Sequence, residues 1–202
     1  MIVVVDYGVG NIASLINMLD HLGFPAEASG DPSVILKAEK LILPGVGAFD
    51  KAMDNLDRQG LIDPLRTAAQ QLSTPMLGVC LGMQLLGKRS EEGKRDGLGL
   101  IDADVMRIPV TNGIKVPHIG WAVVQPAGDA PLFIADQAER FYFVHSYYMK
   151  PVHAQDVAAT VHYGQDLCVA VSKANIHGVQ FHPEKSHRYG MRLLQKFAEL
   201  RA

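Results

Sequence analysis

Cysteine is scarce in this chain: Cys80 and Cys168 are the only two among 202 residues. They lie in separate apolar runs with no paired spacing, which excludes a disulfide-stapled scaffold and fits a reducing compartment. Long apolar runs are absent as well. The opening Ile2–Val5 stretch is too short to cross a bilayer or act as an export leader, so the chain reads as soluble and cytoplasmic, with no membrane contact. Charge of one sign is also lacking. The 19 Lys and Arg stand against 21 Asp and Glu, a net charge of -2, and no basic stripe is available for nucleic acid. The 8 histidines include no His-x-x-x-His pair with a third donor nearby, so no metal site is read and no organic cofactor is required. No repeat, low-complexity tract or linker interrupts the sequence. A chain of this length, 48% hydrophobic, can bury one sizeable core, and residues 1–202 are read as a single domain.

What is present is periodicity. Residues 2–5 form a short continuous apolar run, as a buried strand does; Ile12, Leu15, Ile16, Leu19 and Leu22 then recur at helical spacing until Gly23. Leu41-Ile42-Leu43 is the next strong strand, with a weaker one near 26–28. One helical stretch over 49–72 then leads into the apolar run before Cys80. Alternating strand and helix implies an α/β fold, with a mostly parallel central sheet and helices on both faces. From about Asp104 the runs shorten, at 105–108, 121–124, 140–144, 157–162, 169–172 and 176–181, and turn residues separate them. Such spacing implies added antiparallel strands in the second half. Residues 188–200 make a closing amphipathic helix, with Met191, Leu194, Phe197 and Ala198 on one face.

Two segments carry chemistry. Gly78-Val79-Cys80-Leu81-Gly82 reads as a nucleophile elbow, a sharp strand-to-helix turn that exposes its central side chain and tolerates no Cβ on either side. The first turn of the following helix would aim free N–H groups and a positive dipole end at the thiol, favouring the thiolate. Near the other end, Gln180-Phe181-His182-Pro183-Glu184 closes an alternating strand, and a histidine with a carboxylate two residues on makes an oriented base. Each has a plainer reading, a buried structural cysteine and a polar turn. Together they supply nucleophile, base and orienting group in the right chemical types. Gly8-Val9-Gly10-Asn11-Ile12-Ala13 also fits the dinucleotide fingerprint Gly-x-Gly-x-x-Ala, and Glu27 stands near the end of the next strand. A non-catalytic nucleotide-binding module therefore stays open as an alternative.

The elbow Gly-x-Cys-x-Gly-x-Gln, the upstream Pro44-Gly45-Val46-Gly47 and the late Gly-x-Gln-Phe-His-Pro-Glu resemble the class I, triad-type glutamine amidotransferases. With Asp6-Tyr7-Gly8-Val9-Gly10-Asn11, Pro117-His118-Ile119-Gly120-Trp121, Phe143-Val144-His145-Ser146-Tyr147 and Lys185-Ser186, the resemblance narrows to the glutaminase subunits of imidazole glycerol phosphate synthase and covers essentially the whole chain. The resemblance implies a flavodoxin-like three-layer fold and hydrolysis of glutamine to glutamate and ammonia by Cys80, His182 and Glu184. By the same resemblance, backbone N–H groups at Val46, Gly47 and Leu81 hold the oxyanion, and Gly45, Gly47, Gln84, His145, Ser146 and Tyr147 bind glutamine. His145 also has a plainer reading, a satisfied core histidine. The implied partner is a cyclase/synthase subunit of (β/α)8-barrel type, docked as a heterodimer on Asn11, Ile119, Trp121, Tyr147 and Lys185 and receiving the ammonia for histidine biosynthesis. One departure is Ala122, where the family usually carries asparagine after Gly-Trp. It keeps open a paralogue feeding a sugar amidotransferase while leaving the amidotransferase chemistry untouched; outside the class, a stand-alone cysteine hydrolase of the same fold is the other alternative.

Overall fold

β1 (Ile2–Val5) is buried along its whole length, as a strand covered on both faces must be. The computed structural model describes residues 1–110, 113–127, 130–134 and 137–200, and after β1 come α1 (Ile12–His21) and β2 (Ala26–Ser29). α2 (Pro32–Ile35) is a single turn begun by Asp31, whose carboxylate accepts the Ser33 N–H at 2.7 Å. β3 (Lys40–Gly45) follows. The one helix expected over 49–72 is two, α3 (Phe49–Arg58) and α4 (Ile62–Gln70). Gly60, at φ 66°, turns the chain between them; its N–H bonds Asp57 O and the Leu61 N–H bonds Leu56 O, both at 2.9 Å. That is a Schellman closure, which needs a left-handed residue. The apolar period runs through the break because both helices lie on one face of the sheet, where Leu56, Leu61 and Leu65 share a single cluster.

β4 (Met76–Cys80) passes directly into α5 (Leu81–Leu85). Strands then dominate: β5 (Arg89–Ser90), β6 (Ala103–Arg107), β7 (His118–Pro126), β8 (Glu139–His145), β9 (Tyr147–Pro151), β10 (Val157–Tyr163), β11 (Gln165–Lys173) and β12 (Ile176–Val179), closed by α6 (His187–Glu199). Among the described residues, nine strands form one sheet in the order β2-β1-β3-β4-β12-β11-β10-β7-β8. The first five of that order are parallel, and β11, β10, β7 and β8 extend it antiparallel. β5, β6 and β9 form a separate small sheet.

Strand alternation sorts the core into two layers. Val3, Val5, Leu41 and Leu43 face α3 and α4, whereas Ile2, Val4, Ile42, Leu77 and Val79 face α1 and α6. On α6 the buried stripe is Leu193, Leu194, Phe197 and Ala198; Met191 lies only half-buried at its margin. Register then places the chemistry. Gly45 pairs with Cys80, and Val79 with Val179, so the carboxyl ends of β3, β4 and β12 lie side by side, where open α/β sheets gather their ligands. No helix among the described residues is long and apolar enough to cross a membrane.

Candidate active site

Cys80 ends β4 at φ 56° and ψ -112°, a conformation that a side-chain-bearing residue rarely adopts and that only tight surroundings maintain. A Cβ on Gly78 would lie 2.7 Å from Gly82 O, and one on Gly82 would lie 1.8 Å from Leu43 O. The two glycines therefore let the elbow close against itself and against β3. Two features of the sequence reading need correction. Cys80 is 8% exposed, reached through a cavity rather than standing proud of the surface. The helix after it has five residues, too few for a strong macrodipole, so a charged neighbour matters more to the sulfur.

That neighbour is His182. β12 stops at Val179, and the chain continues with Gln180 and His182 on one side and Phe181 on the other. Phe181 is fully buried and stacks on Phe141 at 3.8 Å between centroids, edge-on to Phe133 and Phe143. Burying such a ring contributes about 2–3 kcal/mol, so the anchor fixes the direction of its polar neighbours. His182 Nδ1 lies 2.8 Å from Glu184 Oε1, and its ring lines the same cavity as Cys80. Burial would push the His182 imidazolium down; the bonds to Cys80 and Glu184 and their charges outweigh it and raise the ring to about 9. Ser186, fully buried, locks the turn: its hydroxyl donates to His182 O at 2.6 Å and accepts the Tyr142 N–H at 3.0 Å.

A cavity of about 370 Å³ opens over Cys80 and His182. Of the residues singled out in the sequence, Val46, Gly47, Leu81, Gln84, His145, Ser146 and Tyr147 line it. Gly45 does not: its missing Cβ would sit 2.7 Å from the Gly82 N, so this glycine brings β3 against the elbow rather than against a ligand. Glu184 stands behind His182, outside the wall, with a side chain 1% exposed. Asn11, Ile119, Trp121 and Lys185 lie away from the cavity. Gly10, in the dinucleotide-like turn, packs on Pro44, 2.9 Å from where its Cβ would be.

Gln84 is buried, and its amide donates to Gln180 Oε1 at 2.9 Å and to Tyr147 O at 3.4 Å, leaving its own carbonyl oxygen for a ligand's donor. His145 has both ring nitrogens committed, Nδ1 to Tyr147 O at 2.8 Å and Nε2 to His118 Nδ1 at 3.0 Å. Desolvation pushes it down to about 4, against the Tyr147 hydrogen bond, so it is neutral. Its Nδ1 then donates to the Tyr147 carbonyl and its Nε2 accepts from His118, which is stacked between Tyr163 and Phe143. His145 thus supports the cavity wall through Tyr147. Of the wall residues, Glu92 escaped the sequence reading, and Pro117 and Gln180 stood inside quoted motifs with no role of their own. Glu92 Oε2 also accepts the Phe49 N–H at 2.9 Å, which ties its loop to the start of α3. Gln180 sits inside the motif that pointed to His182, and its place before Phe181 in an alternating run puts it on the histidine's side.

A strained cysteine, a histidine held by a carboxylate and a flanking glycine loop thus lie together at the ends of parallel strands, the constellation a cysteine nucleophile would need. Residues 3–200 match the class I glutamine amidotransferase family, and the chain belongs to it. It is 51% identical to imidazole glycerol phosphate synthase subunit HisH 2 of Pseudomonas aeruginosa, over 99% of this chain and 100% of that protein. It is 48% identical to subunit HisH 2 of Methanococcus maripaludis, over 98% of each, and 46% identical to subunit HisH of Moorella thermoacetica, over 98% of this chain and 94% of the relative. The fold is shared with a solved glutamine amidotransferase, at TM-score 0.77 and 21% identity over 98% of this chain and 97% of that one. PurLQS of Thermotoga maritima gives 0.76 and 18%, over 97% and 96%.

Proposed function

We propose that the chain is the glutaminase subunit of an imidazole glycerol phosphate synthase in histidine biosynthesis, acting as one domain over residues 1–202 in the cytoplasm. The observation that carries the chemistry is the Glu184–His182–Cys80 line beside a cavity large enough for one free amino acid. Cys80 thiolate attacks the side-chain amide of glutamine. The oxyanion is received by N–H groups of the Val46–Gly47 loop and of Leu81, each such donor being worth about 10²- to 10³-fold in rate. His182 gives its proton to the departing nitrogen, ammonia leaves and a thioester remains. His182 then takes a proton from the water that cleaves it, with Glu184 holding the ring throughout. At the other end of the substrate, the Gln84 carbonyl oxygen and the Glu92 carboxylate offer acceptors to the α-ammonium group, and Gly47, Ser146 and Tyr147 complete the grip.

The ammonia needs a receiver, and we assign that role to a (β/α)8-barrel cyclase subunit. Ile119, Trp121 and Val123 line one face of β7 at 60%, 40% and 43% exposure, and Val144, 37% exposed, pairs with Ile119 across the ladder and also lines the cavity. An apolar stripe that leads to the mouth of a site is the kind of surface a partner covers. Asn11, whose side chain makes no capping bond to α1, together with Tyr147 and the exposed Lys185, supplies its polar margin.

The chemistry is tested with a glutamine-analogue diazo-ketone. It should label Cys80 and spare Cys168, whose thiol burial pushes up to about 12 despite a bond to Ala170 O. Cys80→Ala should lose all glutamate production while keeping its melting temperature. Equal labelling of the two thiols, or glutamate formed by the alanine variant, would overturn the mechanism.

A further inference from the structure

We infer that Gln180 is a further catalytic residue of this site, a fixed hydrogen-bond donor to the Cys80 sulfur that stabilises it whenever it carries charge. The inference rests on the glutaminase reading above and adds a group to it. Gln180 is fully buried, and its Nε2 lies 3.8 Å from Cys80 Sγ, within reach of an N–H bond to the large sulfur atom.

The amide can point only one way. Gln84 spends one N–H on Tyr147 O and the other on Gln180 Oε1, so the Gln180 oxygen faces Gln84 and its nitrogen faces the sulfur. Turning the amide over would set two N–H groups against each other and an oxygen against the thiolate. The backbone is equally constrained, since the Gln180 N–H bonds Val169 O at 2.8 Å and the next side chain is the buried Phe181. A chain of hydrogen bonds thus runs from the cavity wall at Tyr147 through Gln84 and Gln180 to the nucleophile. A fully buried amide needs its partners, and here they are the substrate-facing wall on one side and the reacting atom on the other.

The role follows the charge on sulfur. In the first step the Sγ–C bond forms, the C–N bond breaks, and ammonia leaves with the proton of His182. In the second, water gives its proton to His182 and attacks the thioester, the C–S bond breaks, and its electron pair returns to Sγ. Gln180 exchanges no proton in either step. Its N–H is already in place where the negative charge reappears, and a donor that need not reorganise eases departure of the thiolate.

The test is alkylation of Cys80 by iodoacetamide across pH, read by mass spectrometry of its peptide on the full chain. The unmodified protein, Gln180→Met and Gln180→Glu are compared. Methionine keeps the volume without the donor; glutamate keeps an oxygen for Gln84 but sets a second negative charge beside the sulfur. We expect the alkylation profile to move to higher pH in both, so that at pH 7 Gln180→Met reacts roughly tenfold more slowly and Gln180→Glu more slowly still. In the partner complex, kcat should fall while KM for glutamine changes little. A Gln180→Met protein with an unchanged melting temperature, alkylation profile and kcat would overturn the inference. Should the methionine variant not fold, the glutamate variant decides by the same profile. Failure of the glutaminase reading looks different: the unmodified protein itself would show no reactive Cys80.

Discussion

Burial alone would strip the proton from His182. The bonds to Cys80 and Glu184 reverse that and put its titration near 9, well above its ordinary 6.5, so the ring is an imidazolium in neutral solution and can protonate the leaving nitrogen. The sign sets the pH dependence. Turnover should fall as pH rises through about 9, and Glu184→Gln, which removes the charge that raises the ring, should bring that fall to lower pH while leaving measurable activity. His182→Ala should be nearly inactive at every pH. If the histidine variant retained as much turnover as the glutamine variant in a steady-state assay, the assigned roles would be contradicted. Glu92 gives a second residue-scale outcome. Its carboxylate lies on the cavity wall, so Glu92→Gln should raise KM for glutamine roughly tenfold or more with a smaller effect on kcat. An unchanged KM would remove Glu92 from the substrate.

The elements differ in how far they could be read in advance. The triad was legible because each half is local: a glycine-flanked cysteine after an apolar run, and a His-Pro-Glu turn after an alternating strand. Glu92 was not legible, because it reaches the cavity only when its loop is held on α3, where Asp50 accepts the Lys94 and Arg95 N–H groups, each at 3.0 Å. Such a contact between residues so distant in sequence leaves no periodic trace. β9 was missed for a simpler reason: the run read at 140–144 stops before it, and only Ser146 separates it from β8. The helix break at Gly60 was the recoverable error, since a glycine after Arg58 and Gln59 is a C-terminal signal. Element packing also carries a prediction. α6 crosses the Pro183–Lys185 turn at Gly190, where a Cβ would lie 1.8 Å from Pro183 O. Gly190→Ala must therefore shift either the helix or the turn that carries Glu184. Melting temperature should drop, by about 1–3 kcal/mol of stability, and kcat should drop with it. A variant that melts and turns over like the parent would show that the turn is not held by α6.

At the scale of the whole molecule, five parallel strands bring the Val46–Gly47 loop, Cys80 and His182 to one edge, and four antiparallel strands extend the sheet toward an apolar face beside the same cavity. Residue pattern made the parallel half and the added antiparallel strands legible, but the order of those strands depends on pairings such as β10 with β7, set by long-range register. In the proposed complex the partner would have direct access to the Val46–Gly47 loop, where Val46 is 45% exposed. A docked subunit can bias that loop toward its competent form by differential contacts. The decisive measurement is the rate of glutamate production by the purified chain alone, and then with the histidine-pathway barrel subunit bound and its acceptor site filled. Turnover should be very slow alone and rise by orders of magnitude, on the order of 10²-fold or more, in the complex. Full-speed hydrolysis by the isolated chain, unchanged when the barrel subunit is added, would contradict the assignment and leave a free-standing hydrolase in its place.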